Sequence, residues 1–195
     1  MIKPFEFYFD FASPYTFLAH KEIRRIEKEN SIEINYMPVL LGGLLKLAGI
    51  KANVDIPIKG KYMVKDCKLV AEKYSIKFHF NSYFPINTLN LMRCVLVAEK
   101  KNITQNLINK FFDSIWKDGL NLNDNVVVEK LLKDLNINPK TFLADADHPN
   151  IKGELKKKTD DAFKKGIFGT PSFIINNKIF WGQDRLEFVL NEAKI

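Results

Sequence analysis

The sequence predicts an α/β fold in which a sheet drawn from both ends of the chain carries a large all-helical insertion. Three observations predict it. The N-terminal segment reads strand, helix, strand, which is a parallel crossover unit. The stretch from 59 to 166 carries a helical pattern almost without interruption. Two short strands and a helix return only after it. The simplest partition is a discontinuous α/β domain, residues 1–58 with 167–195, interrupted by a helical insertion domain at 59–166.

The elements follow in order. Phe5-Glu6-Phe7-Tyr8-Phe9-Asp10 alternates with period two and reads as a strand. Ser13 then caps a helix with Pro14 at its first position, and the helix runs to about Glu29. Ile32 to Met37 reads as a second strand, ended by Pro38. Apolar residues at three- and four-residue spacing predict helices near 60–74, 87–101, 104–117, 124–135, 139–147 and 151–165, punctuated by Pro85, Gly119 and Pro149. Ser172 to Ile175 and Ile179 to Trp181 read as a hairpin. Its turn contains Asn176-Asn177, a pair that tolerates positive φ. Asp184 is expected to start and cap a last helix.

Composition narrows the function classes. Hydrophobic residues make up 46% of the 195 and charged residues 27%, enough apolar mass for a packed core. No run of about 18 apolar residues suggests a membrane span. The start has no apolar signal region. Cys67 and Cys94 form no Cys-x-x-Cys and sit on apolar helical stretches. They read as buried free thiols, and a cytoplasmic location is expected. His20, His79 and His148 have no companions at metal-ligand spacing, so no metal site is expected. The net charge of +7 comes mostly from dispersed lysines, with only four arginines. No nucleic-acid partner is expected, and mild attraction for anionic small molecules is the more plausible consequence.

The chemistry-bearing residues lie at the two ends. Ser13-Pro14 by itself is ordinary helix-start chemistry. Its context is the carboxyl end of a strand before a crossover helix, where ligands gather in open α/β sheets. The helix start offers N–H groups and a positive dipole end that suit an anion such as a thiolate. In a thioredoxin-like fold a Cys-x-x-Cys occupies this place, facing a turn that carries a cis-proline. Here the four places read Ser13-Pro14-Tyr15-Thr16, and Thr170-Pro171 supplies the turn. A serine there suggests that a bound cofactor brings the thiol. No histidine stands in an obvious partner position, so a serine-hydrolase triad is not supported. The backbone of Thr170 could pair with an extended peptide as an added strand. Gly182 allows close backbone approach, and Asp184 could take an amine.

Phe9-Asp10-Phe11-x-Ser13-Pro14-Tyr15, Phe168-Gly169-Thr170-Pro171 and Trp181-Gly182-Gln183-Asp184-Arg185 together resemble the family of 2-hydroxychromene-2-carboxylate isomerases and kappa-class glutathione transferases. Gly60-Lys61-Tyr62-Met63-Val64-Lys65-Asp66 and Phe84-Pro85-Ile86-Asn87-Thr88 extend the likeness through the middle. The resemblance implies a thioredoxin-like (DsbA-type) domain with a large all-helical insertion, a homodimer and bound glutathione. It implies that Ser13 stabilises the glutathione thiolate as the catalytic residue. Thr170 and Pro171 would then meet the cysteinyl backbone, and Trp181, Gly182, Gln183 and Asp184 would hold the γ-glutamyl end. In the isomerases the thiolate adds reversibly to a conjugated aromatic substrate and leaves again, so glutathione is not consumed. Leu69-Val70 stands where the isomerases often carry Arg-Trp, and Gly49-Ile50 where the kappa enzymes carry Gly-Asn. Lys46 and Asn53 are the expected substrate-facing residues, in a loop. The alternatives are a kappa-like transferase or peroxidase, a disulfide oxidoreductase, disfavoured by the absence of cysteine at 13 and 16, and a non-catalytic binding module.

Overall fold

The computed structural model describes residues 3–30, 32 and 34–194. Strand β1 (Phe5–Phe9) leads through a short loop into helix α1 (Pro14–Asn30). Strand β2 (Ile34–Pro38) and helix α2 (Leu41–Ala48) follow. The predicted second strand thus starts two residues late, and residue 33 lies outside the described residues. Six helices come next: α3 (Pro57–Lys73), α4 (Leu89–Lys100), α5 (Thr104–Trp116), α6 (Asn125–Asp134), α7 (Pro139–Asp147) and α8 (Pro149–Lys164). The hairpin β3 (Ser172–Ile175) and β4 (Lys178–Trp181) and helix α9 (Leu186–Ala193) close the chain.

The sheet order is β2-β1-β3-β4. β1 runs parallel to β2 and antiparallel to β3, so the sheet is mixed. Asn176 and Asn177 both take positive φ in the β3–β4 turn, as their side chains permit. Alternation along β1 sorts its residues between two faces. Phe5, Phe7 and Phe9 join the larger core with Phe11, Phe17 and Phe112. Tyr8 points the other way, to a smaller cluster with Val39, Leu44, Ala162 and Ile167. The larger core runs without a break from the sheet through α4 and α5 to Leu132 and Phe142 in α6 and α7.

Two expectations need correction. The segment expected to be a loop at 41–48 is helix α2, which carries Lys46. Asp184 does not cap the last helix. The chain first makes a 3-10 turn at Gln183–Arg185, with Arg185 N–H donating to Gly182 O at 3.2 Å, and α9 begins after it. The Asp184 carboxylate pairs instead with Arg185 at 3.1 Å.

Candidate active site

β1 ends at Phe9, and Asp10 to Ala12 turn the chain into α1. Ser13 sits at the helix start, only 5% exposed. Its Oγ accepts from Thr16 N–H at 3.2 Å, the bond of an N-cap. The same hydroxyl donates to Thr170 O at 3.2 Å. No residue of the first turn of α1 is itself acidic.

Thr170 precedes Pro171 through a cis peptide bond. Pro171 O accepts from Gly182 N–H at 3.0 Å, which ties this turn to the end of β4. The Trp181 ring packs on Phe168, with centroids 4.9 Å apart. Gly169 lies beneath the indole, where a Cβ would stand 2.9 Å from Trp181 Nε1. Gly182 has φ +113, a value that side chains rarely adopt. The Thr170 hydroxyl is buried and has no hydrogen-bond partner among the described residues.

These pieces meet in one cleft of about 590 Å³, a size suited to a small organic ligand. Ser13, Thr170, Pro171, Trp181, Gly182, Gln183, Asp184 and Asn53 all line it. Lys46 does not. It is exposed on α2, outside the cleft lining. Lys51 and Lys59, with Arg185, supply the cationic groups there instead. Leu41, Leu45, Ile50, Val54, Met63 and Phe84 form an apolar wall. Tyr15 and Asp66 also line the cleft, and Tyr15 OH donates to Asp66 Oδ2 at 2.8 Å. Burial, with that bond to Asp66, pushes the Tyr15 phenol well above its usual range, so it stays a neutral donor.

Lys51 and Lys59 are the cationic members missed in the sequence. Lys59, Met63 and Asp66 share one face of α3 at i, i+4 and i+7, a spacing that could have flagged Lys59. Nothing local marks Lys51, which follows the left-handed turn at Gly49. The two cysteines stand apart from this chemistry. Both are buried and free, and burial pushes each thiol up to about 12. Among the described residues no three His, Cys, Asp or Glu side chains gather to hold a metal ion. A second depression of about 310 Å³ lies among α4, α6 and α7. Its lining is mostly asparagine and aliphatic, with the buried Cys94 as its only thiol.

The DSBA-like thioredoxin domain model matches residues 5–194. The chain belongs to the DSBA-like thioredoxin family. Within it, the chain is 27% identical over 191 residues to a 2-hydroxychromene-2-carboxylate isomerase of Sphingobium xenophagum, covering 97% of each chain. It is 24% identical over 210 residues to human glutathione S-transferase kappa 1, covering 94% of this chain and 88% of that one. A solved 2-hydroxychromene-2-carboxylate isomerase superposes with a TM-score of 0.89 at 22% identity, over 98% of this chain and 94% of that one. In this DSBA-like chain the two cysteine places of a Cys-x-x-Cys are Ser13 and Thr16.

Proposed function

We propose that the chain is a glutathione-dependent isomerase of the 2-hydroxychromene-2-carboxylate type, with Ser13 as the catalytic residue. The observation that carries this reading is a serine hydroxyl at the start of α1, against the carbonyl of Thr170, in a cleft large enough for a tripeptide's reactive end. Bound glutathione would supply a thiolate able to add to a conjugated, ring-opened aromatic acid and leave again. The cleft fits such a cofactor. The Thr170 hydroxyl is a buried polar atom without a partner among the described residues. Asp184 suits an ammonium, and Lys51 and Lys59 suit carboxylates. Trp181, Gly182 and Gln183 complete the wall beside Asp184, and Asn53 with the apolar face of α2 is left for an aromatic substrate.

Ser13 works through its single proton. Its oxygen already accepts from Thr16, and its proton rests on Thr170 O. A peptide N–H arriving at Thr170 O would take over that acceptor. The Ser13 proton would then be free to turn towards sulfur. A free thiol with a pKa of about 8.5 is only a few per cent ionised at pH 7. Lowering it by about two units makes the thiolate dominant and takes roughly 2.7 kcal/mol, within reach of one hydrogen bond plus a helix start.

A kappa-like transferase is the second reading, favoured by the kappa relatives and by Leu69-Val70. Product analysis separates the two. Glutathione recovered unchanged beside an isomerised chromene carboxylate supports the isomerase, and an accumulating thioether supports the transferase. Calorimetry comes first: reduced glutathione should bind and raise the melting temperature. No heat of binding at millimolar glutathione would overturn both. The reading includes a homodimer in the cytoplasm. The exposed Ile58, Tyr62 and Leu69 on α3 are consistent with a covered face, and sedimentation showing only monomer would remove the dimer.

A further inference from the structure

Asp10 is fully buried, directly beneath the loop that presents Ser13. Its Oδ1 accepts from Ala12 N–H at 3.0 Å and from Thr88 Oγ at 2.6 Å, and its Oδ2 accepts from Leu41 N–H at 2.7 Å. All three partners are neutral donors. Burying a carboxylate this way is costly, and a protein core seldom keeps one without a further reason. The arrangement also displaces ordinary local bonds. Thr88 stands at the N-cap of α4 yet makes no cap bond of its own, because its hydroxyl is turned to Asp10. α2 likewise starts without a side-chain cap from its own N-cap residue, and Asp10 takes its first N–H from afar. A second clamp acts on the next residue. The buried Trp116, at the end of α5, donates Nε1–H to Phe11 O at 2.8 Å. Ser13 N–H closes the loop on Asp10 O at 3.4 Å.

We infer that Asp10, Thr88 and Trp116 are positioning residues, through which the helical insertion holds the Ser13 loop and the start of α1 in register with the α2 wall of the cleft. Thr88 and Trp116 belong to elements 78 and 105 residues away from the groups they hold. Local helix chemistry does not need them, since Ser13 caps α1 by itself. A neutral amide at position 10 could not replace the carboxylate. It has one acceptor oxygen, and its NH₂ would face a donor, either Leu41 N–H or Ala12 N–H.

The inference deepens the reading of Ser13 as the sulfur-supporting group, and its test does not depend on glutathione. A thiol placed there by Ser13→Cys reports the local field through the pH midpoint of its alkylation by iodoacetamide. Cys67 and Cys94, buried with thiols near 12, stay silent at neutral pH. In that background Trp116→Phe removes the N–H and keeps a ring, and Thr88→Val removes the hydroxyl and keeps the shape. The expected result is a midpoint raised by about half a unit or more in either variant, roughly a threefold loss of thiolate at a pH below both midpoints. Thr88→Ser, which keeps the hydroxyl, should return the midpoint to that of Ser13→Cys alone. If a folded Trp116→Phe or Thr88→Val leaves the midpoint unchanged or lowered, and neither raises it, the inference is overturned. A Ser13→Cys midpoint already at the free-thiol value counts against the reading of Ser13, and is recognised separately from any difference between variants. Should Thr88→Val fail to fold, the Trp116→Phe midpoint decides.

Discussion

At Ser13 one hydroxyl joins two parts of the chain that lie 157 residues apart. It caps α1 through Thr16 N–H and meets the carbonyl of Thr170. The first bond is legible from Ser-Pro at a helix start. The second exists only because the sheet brings the ends together. The two roles separate experimentally. Ser13→Ala should cost about 0.5–2 kcal/mol of stability, the usual loss of a cap. Glutathione should still bind through the Thr170 and Asp184 region. The bound thiol, followed by thiolate absorbance, should titrate about one unit higher, with about a threefold fall in turnover at pH 7. Unchanged turnover and an unchanged titration would leave Ser13 as a cap alone. The cationic residues show the reverse. Lys46 looks as plausible as Lys51 in the sequence, because reach into a cleft depends on the direction of α2 and the turn after Gly49.

Helix α1 carries a pH-dependent element of the fold. His20 is fully buried, stacked on Phe112 with centroids 4.8 Å apart. Its Nε2 lies 2.9 Å from Asn109 Oδ1 and its Nδ1 lies 3.1 Å from Tyr36 OH. These partners suit a neutral ring that donates to Asn109 and accepts from Tyr36. Burial first, then the charges of Lys21 and Arg24, push the ring down to about 3, against a bond to Asn109 that raises it. The folded pKa is depressed, so the ring stays neutral in the folded chain while it protonates below about 6.5 in the unfolded one. Its stabilising contribution is therefore complete above that pH and is lost as the pH falls towards 3. Between pH 8 and pH 5 the loss should be about 2 kcal/mol. Denaturant melts of the parent and of His20→Gln across that range check it, since the variant should lack this part of the slope. Parallel slopes would show that His20 does not set it. Helix α2 is the element that sequence pattern failed to reveal. Gly42 and Gly43 lower its helix propensity. Gly43 nevertheless suits the packing, because a Cβ there would lie a tight 3.1 Å from Thr159 Cγ2 on α8. The preference of the isolated segment and the demand of its neighbour point in opposite directions, and only the neighbour is visible in three dimensions.

The partition into residues 1–58 with 167–195 and 59–166 remains a proposal about topology. Energetically the two parts share material. The aromatic side chains of β1 and the Phe11 loop pack on Phe111 and Phe112 of α5, and Trp116 lies in the same continuous core. Large rings buried across the boundary couple the parts strongly. We therefore expect one cooperative unfolding transition, with far-UV circular dichroism and tryptophan fluorescence giving coincident melts. Two separated transitions would show that the insertion folds on its own. The sequence by itself determined the α/β order of elements, the helical middle, the Asn-Asn hairpin and the paired end motifs. Each of these is written in local periodicity, turn chemistry or short motifs. Tertiary structure alone decided that α2 is a helix, that Asp184 lies in a 3-10 turn, that Lys51 rather than Lys46 reaches the cleft, and that Asp10, Thr88 and Trp116 converge beneath Ser13. Those outcomes depend on close approach and on donors and acceptors far apart in the chain, which local patterns do not record.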